Sequence, residues 1–164
     1  MEVYLIRHGI AEERQPKSED ESRELTAQGR DKTYKVAKRL QELGLQFDLI
    51  LTSPYVRSRQ TAEILHSCRL SSQIKSSGYL APQGNIQDWL NELELHQMQA
   101  TDTVLAMVGH QPDLGQWAEI LVWGEARNVL VLKKAGIIGL KLPHTGSPVG
   151  CTQLFWLTPP KFLL

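Results

Sequence analysis

Apolar runs of strand length alternate with segments of helical periodicity along this chain, and the alternation predicts a single-domain α/β fold with a mostly parallel sheet flanked by helices. Two further observations support that reading. Three of the apolar runs end alike, passing from VYLI into RHG, from LILT into SPYVR and from LAMV into GHQP. No internal repeat, low-complexity tract or linker interrupts the 164 residues, so 1–164 is read as one domain. A chain of this length buries roughly 70% of its unfolded surface and needs no disulfide or metal to hold it.

Residues 2–7 (EVYLIR) form an apolar run that reads as a buried strand, and 13–24 (ERQPKSEDESRE) is charged and aperiodic, which predicts a solvated loop. Thr26 is placed to cap a helix in which Thr33, Val36, Ala37, Leu40 and Leu43 recur at helical spacing before Gly44 stops it. A second strand is expected over 48–52. Ser53 then offers an N-cap and Pro54 a first helical residue, with the helix running to about Cys68. A short segment around Ile74 and a helix across 85–97 precede TVLAMV at 103–108, the clearest buried strand of the chain. Pro112 opens a further helix that ends near Gly124, and two last strands, 137–142 and 151–157, flank the turn-rich HTGSPVG and are free to pair antiparallel. Cys68 and Cys151 have neither metal-ligand spacing nor a disulfide-rich context, and Cys151 is expected to pack in its strand.

Eighteen basic residues balance eighteen acidic ones, which excludes a non-specific binder of nucleic acid or of membrane surfaces. The start, Met1-Glu2-Val3, lacks a basic leader, and no apolar run approaches the roughly 20 residues of a membrane span. A cytoplasmic protein is expected. Any anion site must be a local concentration of positive charge.

The strand ends supply one. In an open α/β sheet ligands bind beyond the carboxyl ends of the strands. Arg7, His8, Arg57 and His110 are therefore expected to converge on one crevice, where helix N-termini also favour an anion such as phosphate. A single histidine at a strand end is usually structural or solvated, and it is the recurrence of His8 and His110 at equivalent places that gives them weight. Arg57 and Arg59 lie about 200° apart on a helix at ~100° per residue, so only one faces the crevice, and periodicity alone does not choose between them. His66, His96 and His144 lack comparable settings. A zinc site at His8 and His110 is the competing reading, but no His-x-x-x-His pair or carboxylate at ligand spacing accompanies them, and two arginines would repel the metal.

LIRHG at 5–9, LTAQG at 25–29, SPYVRSRQTA at 53–62 and VGHQP at 108–112 occur in series. Together they resemble the histidine phosphatase, or phosphoglycerate mutase-like, superfamily, and within it the short phosphohistidine phosphatases of the SixA type. The resemblance implies His8 as nucleophile, Arg7 and Arg57 as phosphate clamps and His110 as a second, protonated histidine of the pocket. It selects Arg57 over Arg59 and implies no metal or other cofactor. Larger members of the superfamily carry a carboxylic acid after the second arginine motif to protonate an ester's leaving group. Here that region reads SSGYLAPQGN, without Asp or Glu. The first carboxylates beyond it, Asp88, Glu92 and Glu94, fall on the helix across 85–97 and suit a solvated face, with Glu92 left as a candidate acid. An N–P bond to imidazole asks less of an acid than an alkyl ester does. The expected function is hydrolysis of phosphohistidine on a protein partner. The alternatives are a small-molecule phosphomonoesterase of the same superfamily and a non-catalytic phosphate-binding module.

Overall fold

The computed structural model describes residues 1–164. Six strands, β1 (Glu2–Arg7), β2 (Leu49–Thr52), β3 (Ile74–Ser76), β4 (Val104–Gly109), β5 (Ile137–Lys141) and β6 (Gln153–Thr158), form one sheet in the order β3-β2-β4-β1-β5-β6. The neighbours among β3, β2, β4 and β1 are parallel, whereas β1–β5 and β5–β6 are antiparallel. This is the mostly parallel α/β sheet that the sequence predicts, with its last two strands antiparallel.

The strands read as unbroken apolar runs because both faces of the sheet are covered. Along β1, Val3 and Leu5 point into a core shared with α3 (Ile86–Leu95) and α4 (Asp113–Trp123), where the Trp89 and Trp117 rings stack at 6.1 Å. Tyr4 and Ile6 point the other way, into a core shared with α1 (Ala27–Glu42) and α2 (Val56–Ser67). No helix is long and apolar enough to cross a membrane.

Thr26 caps α1 as expected, its hydroxyl accepting from the Gly29 N–H at 2.9 Å. Gly29 has a second role. A Cβ there would lie 2.0 Å from the Ile10 carbonyl oxygen, so only glycine lets α1 approach the chain leaving β1 this closely. Leu43 departs from the pattern: it follows the last helical turn and is 49% exposed, with Gly44 at φ +80° beyond it.

Two element boundaries also differ from expectation. α2 starts at Val56 with Tyr55 as its N-cap, and the Ser53 hydroxyl, two residues earlier, accepts the Tyr55 N–H at 3.2 Å and lies 2.8 Å from His110 Nε2. Pro112 likewise lies just before α4, preceded by a cis peptide bond. Cys151 is exposed, because its N–H closes a turn onto the Pro148 carbonyl and β6 begins only at Gln153.

Candidate active site

The strand register brings the three polar strand ends to one level. Arg7 pairs with Gly109 and Thr52 with Val108 across the parallel ladders, and the His8 and Ser53 N–H groups continue those ladders onto the Gly109 and Val108 carbonyls. Arg7, His8, Arg57 and His110 consequently line one cavity of about 310 Å³. A larger cavity of about 630 Å³, between α3 and residues 144–149, contains none of them. Arg59 is exposed, as are His66, His96 and His144, so of the two arginines considered it is Arg57 that faces the pocket.

Each motif residue has a physical task. The Gly9 N–H donates to Thr61 Oγ1 at 3.0 Å, and the Thr61 hydroxyl donates to the Arg57 carbonyl at 2.8 Å, so α2 fixes the turn that follows β1. Gln60 accepts the Leu25 N–H at 2.7 Å, tying the LTAQG segment to the same helix. Gln111 donates to the Leu130 carbonyl at 3.0 Å, and Arg7 Nη1 donates to the Leu132 carbonyl at 3.0 Å. The Arg7 Nε is buried without a partner in the protein.

The imidazoles are held in defined tautomers. His8 Nδ1 lies 2.7 Å from the Gly9 carbonyl, which can only accept, so Nδ1 carries the proton. Nε2 is left with its lone pair, which receives Arg57 Nε–H at 3.2 Å. His110 has the opposite arrangement. Its Nδ1 faces Arg57 Nη2 at 3.3 Å and accepts, while Nε2 donates to the Ser53 hydroxyl. The two rings are 5.2 Å apart.

Both histidines are pushed down to about 3. For His8 the cause is burial first, opposed by the Gly9 hydrogen bond and reinforced by His110, Arg57 and Arg7; for His110 it is burial, then Arg57 and Arg7, with Asp20 opposing. His110 is thus neutral near pH 7 in the unliganded pocket, because burial and the neighbouring guanidinium groups disfavour the extra proton; the protonated form expected to meet phosphate requires the anion to be present. The unfolded value is about 6.5. A folded value below the unfolded one gives stability that is complete above about 6.5 and is lost as the pH falls towards 3. The melting temperature should accordingly drop between pH 7 and pH 4, and calorimetry of the His8→Gln variant should show a shallower decline than wild type. Parallel declines would contradict this assignment.

The pocket also holds three charged residues that the sequence reading missed, Asp20, Arg23 and Lys134. Asp20, on a 3₁₀ turn at Asp20–Ser22, reaches Arg57 Nη2 with its carboxylate at 3.0 Å and Arg57 Nη1 with its carbonyl at 2.7 Å. Its other carboxylate oxygen takes Arg23 at 2.7 Å. Burial opposes ionisation of Asp20, but Arg57 and Arg23 outweigh it and hold the carboxyl below its usual range. Asp20 is therefore an ionised partner of Arg57. Glu92 lies outside this cavity, exposed on α3 and accepting the Tyr79 hydroxyl at 2.9 Å, and Asp88 and Glu94 are exposed on the same helix.

Two arginines, a neutral imidazole whose lone pair is covered only by an arginine N–H and a second histidine, gathered beyond parallel strand ends, make an α/β site suited to a tetrahedral oxyanion. The chain belongs to the histidine phosphatase superfamily, branch 1, whose family profile matches residues 3–77. An uncharacterised protein of Picosynechococcus sp. is 48% identical over 100% of this chain and 99% of its own length. Among solved structures, the fold is shared with the protein histidine phosphatase SixA, described in complex with tungstate, at a TM-score of 0.85 and 24% identity over 100% of both chains. A phosphoserine phosphatase of Entamoeba histolytica shares it at 0.69 and 16% identity, over 99% of both chains.

Proposed function

We propose that this protein hydrolyses phosphohistidine on a protein partner through a covalent phosphohistidine at His8, with Arg7, Arg57 and His110 binding the phosphoryl group. The observation that carries the reading is the His8 tautomer: a neutral Nε2 lone pair, buried among cations that match phosphate oxygens. As the phosphoryl group enters, Arg57 Nε–H shifts from His8 to a phosphoryl oxygen and frees that lone pair. Nε2 attacks phosphorus while the bond to the leaving imidazole nitrogen breaks, and that nitrogen takes its proton from solvent. His110 Nδ1, an acceptor in the empty pocket, is protonated once the phosphate dianion offsets the arginines and then donates to it. Water next attacks the phosphorus, and the bond to Nε2 breaks to release inorganic phosphate.

The choice of phosphohistidine over alkyl esters rests on the pocket carboxylate. Asp20 is ionised by two arginines and holds no proton to give, which suits a leaving group that needs little acid assistance. Turnover of a phosphorylated histidine domain is the deciding measurement, set beside a series of aryl and alkyl phosphates. We expect rates on the esters to fall steeply as leaving-group pKa rises and the Glu92→Gln variant to match wild type. A shallow dependence, or a roughly hundredfold loss in that variant, the scale of a missing general acid, would move the assignment to a small-molecule phosphomonoesterase.

Catalysis is expected to survive chelation, with tungstate or vanadate inhibiting competitively. Arginines supply the charge stabilisation, and no group of three His, Cys, Asp or Glu side chains is arranged to hold a metal ion. Activity lost in EDTA and restored by zinc or magnesium would refute metal independence.

A further inference from the structure

A second cavity of about 320 Å³ adjoins the phosphate pocket and shares Arg7 and Lys134 with it. Lys32 from α1 and Lys133 complete a set of four cations around it, and no carboxylate lines it. None of the four makes an ion pair anywhere in the protein. In a chain of zero formal net charge this is a deliberate-looking concentration, since like charges held together without a counter-ion oppose folding.

The lysines are also placed with care. Lys133 and Lys134 begin a tight turn closed by the Gly136 N–H on the Lys133 carbonyl at 2.7 Å. The turn puts Ala135, a non-glycine residue, at φ +59°, a conformation that L side chains adopt at a cost. The Ala135 N–H then bonds the Arg7 and His8 carbonyls at 3.1 and 3.2 Å, and the Leu132 carbonyl takes the Arg7 guanidinium. The backbone that presents the lysines is thereby clamped to the strand end that presents the nucleophile.

We propose that this cavity is a second anion subsite, which takes a carboxylate side chain of the substrate protein while its phosphohistidine occupies the neighbouring pocket. The proposal rests on the phosphohistidine reading above. It assigns specificity for acidic flanking sequence to Lys32, Lys133 and Lys134, apart from the chemistry at His8.

Two phosphohistidine peptides test it, identical except for glutamates or glutamines flanking the phosphorylated residue. Each is measured as a competitor of bound tungstate by calorimetry and as a substrate. Wild type should bind the glutamate peptide about tenfold more tightly, the scale of two or three partly screened ion pairs, and the Lys32→Ala/Lys133→Ala variant should lose that preference. Its turnover of p-nitrophenyl phosphate should stay within about twofold of wild type. Equal binding of the two peptides by wild type, or an undiminished preference in the variant, overturns the subsite. A glutamate preference without turnover of either peptide upholds the subsite and overturns the phosphohistidine reading; turnover of both without preference does the reverse.

Discussion

Replacing His8 with alanine should abolish turnover, by roughly four orders of magnitude or more as for the nucleophile of other covalent mechanisms, while the protein stays folded. The side chain is buried, yet its contacts are those of a reactive group: Nδ1 on the Gly9 carbonyl and Nε2 on Arg57. Its loss removes an imidazole that stability favours only in the neutral form, so the melting temperature at pH 7 should change by a few degrees at most. Rapid quench of wild type under neutral conditions should trap phosphate on His8. A folded His8→Ala protein with substantial residual activity would mean that another group attacks.

The second large effect is expected far from His8. Glu119, on α4, is 0% exposed, and its carboxylate accepts the backbone N–H groups of Asn128, Val129 and Leu130 at 2.7, 2.6 and 2.7 Å as well as that of Arg127. Burial opposes its charge, but the four donors outweigh it and hold the carboxyl below its ordinary range. The loop fixed in this way presents the Leu130 carbonyl to Gln111 and the Leu132 carbonyl to Arg7. In Glu119→Gln an amide N–H₂ must face N–H donors, and in Glu119→Ala no acceptor remains. Either variant should lose about 3 kcal/mol or more, roughly 10 °C in melting temperature for a domain of this size. Tungstate affinity should fall with it, because Arg7 loses the carbonyl that orients it. A variant that melts with wild type would show that solvent replaces the carboxylate at no loss.

Glu119 also shows where sequence reading stops. The strand ends were legible because a buried strand must end in polar residues, and the convergence of Arg7, His8, Arg57 and His110 followed from sheet topology. The choice of Arg57 over Arg59 needed the family resemblance, since helical spacing allowed either. Asp20 and Arg23 lie in the charged segment 13–24, where composition matches any solvated loop, and only the fold brings that turn against α2. The one available signal for Glu119 was an acid inside the otherwise apolar run from Trp117 to Trp123, which marks burial without naming the partner. The neutral state of His110 was out of reach as well, because it depends on how deeply the ring lies beside two arginines.

The place of β1 in the sheet has a consequence for how the site breathes. It lies between β4 and β5, inside the sheet, and the N–H groups of Arg7 and His8 are bonded to the Gly136 and Gly109 carbonyls on opposite sides. Those amides exchange with solvent only when the whole sheet comes apart. The turn carrying Asp20 is held differently: the Ser22 and Arg23 N–H groups bond only within the turn, and most residues around it are exposed. Amide exchange should therefore be fast at 18–23 and slowest at 3–8, so that the counter-ion of Arg57 opens and recloses many times during one lifetime of the histidine's position.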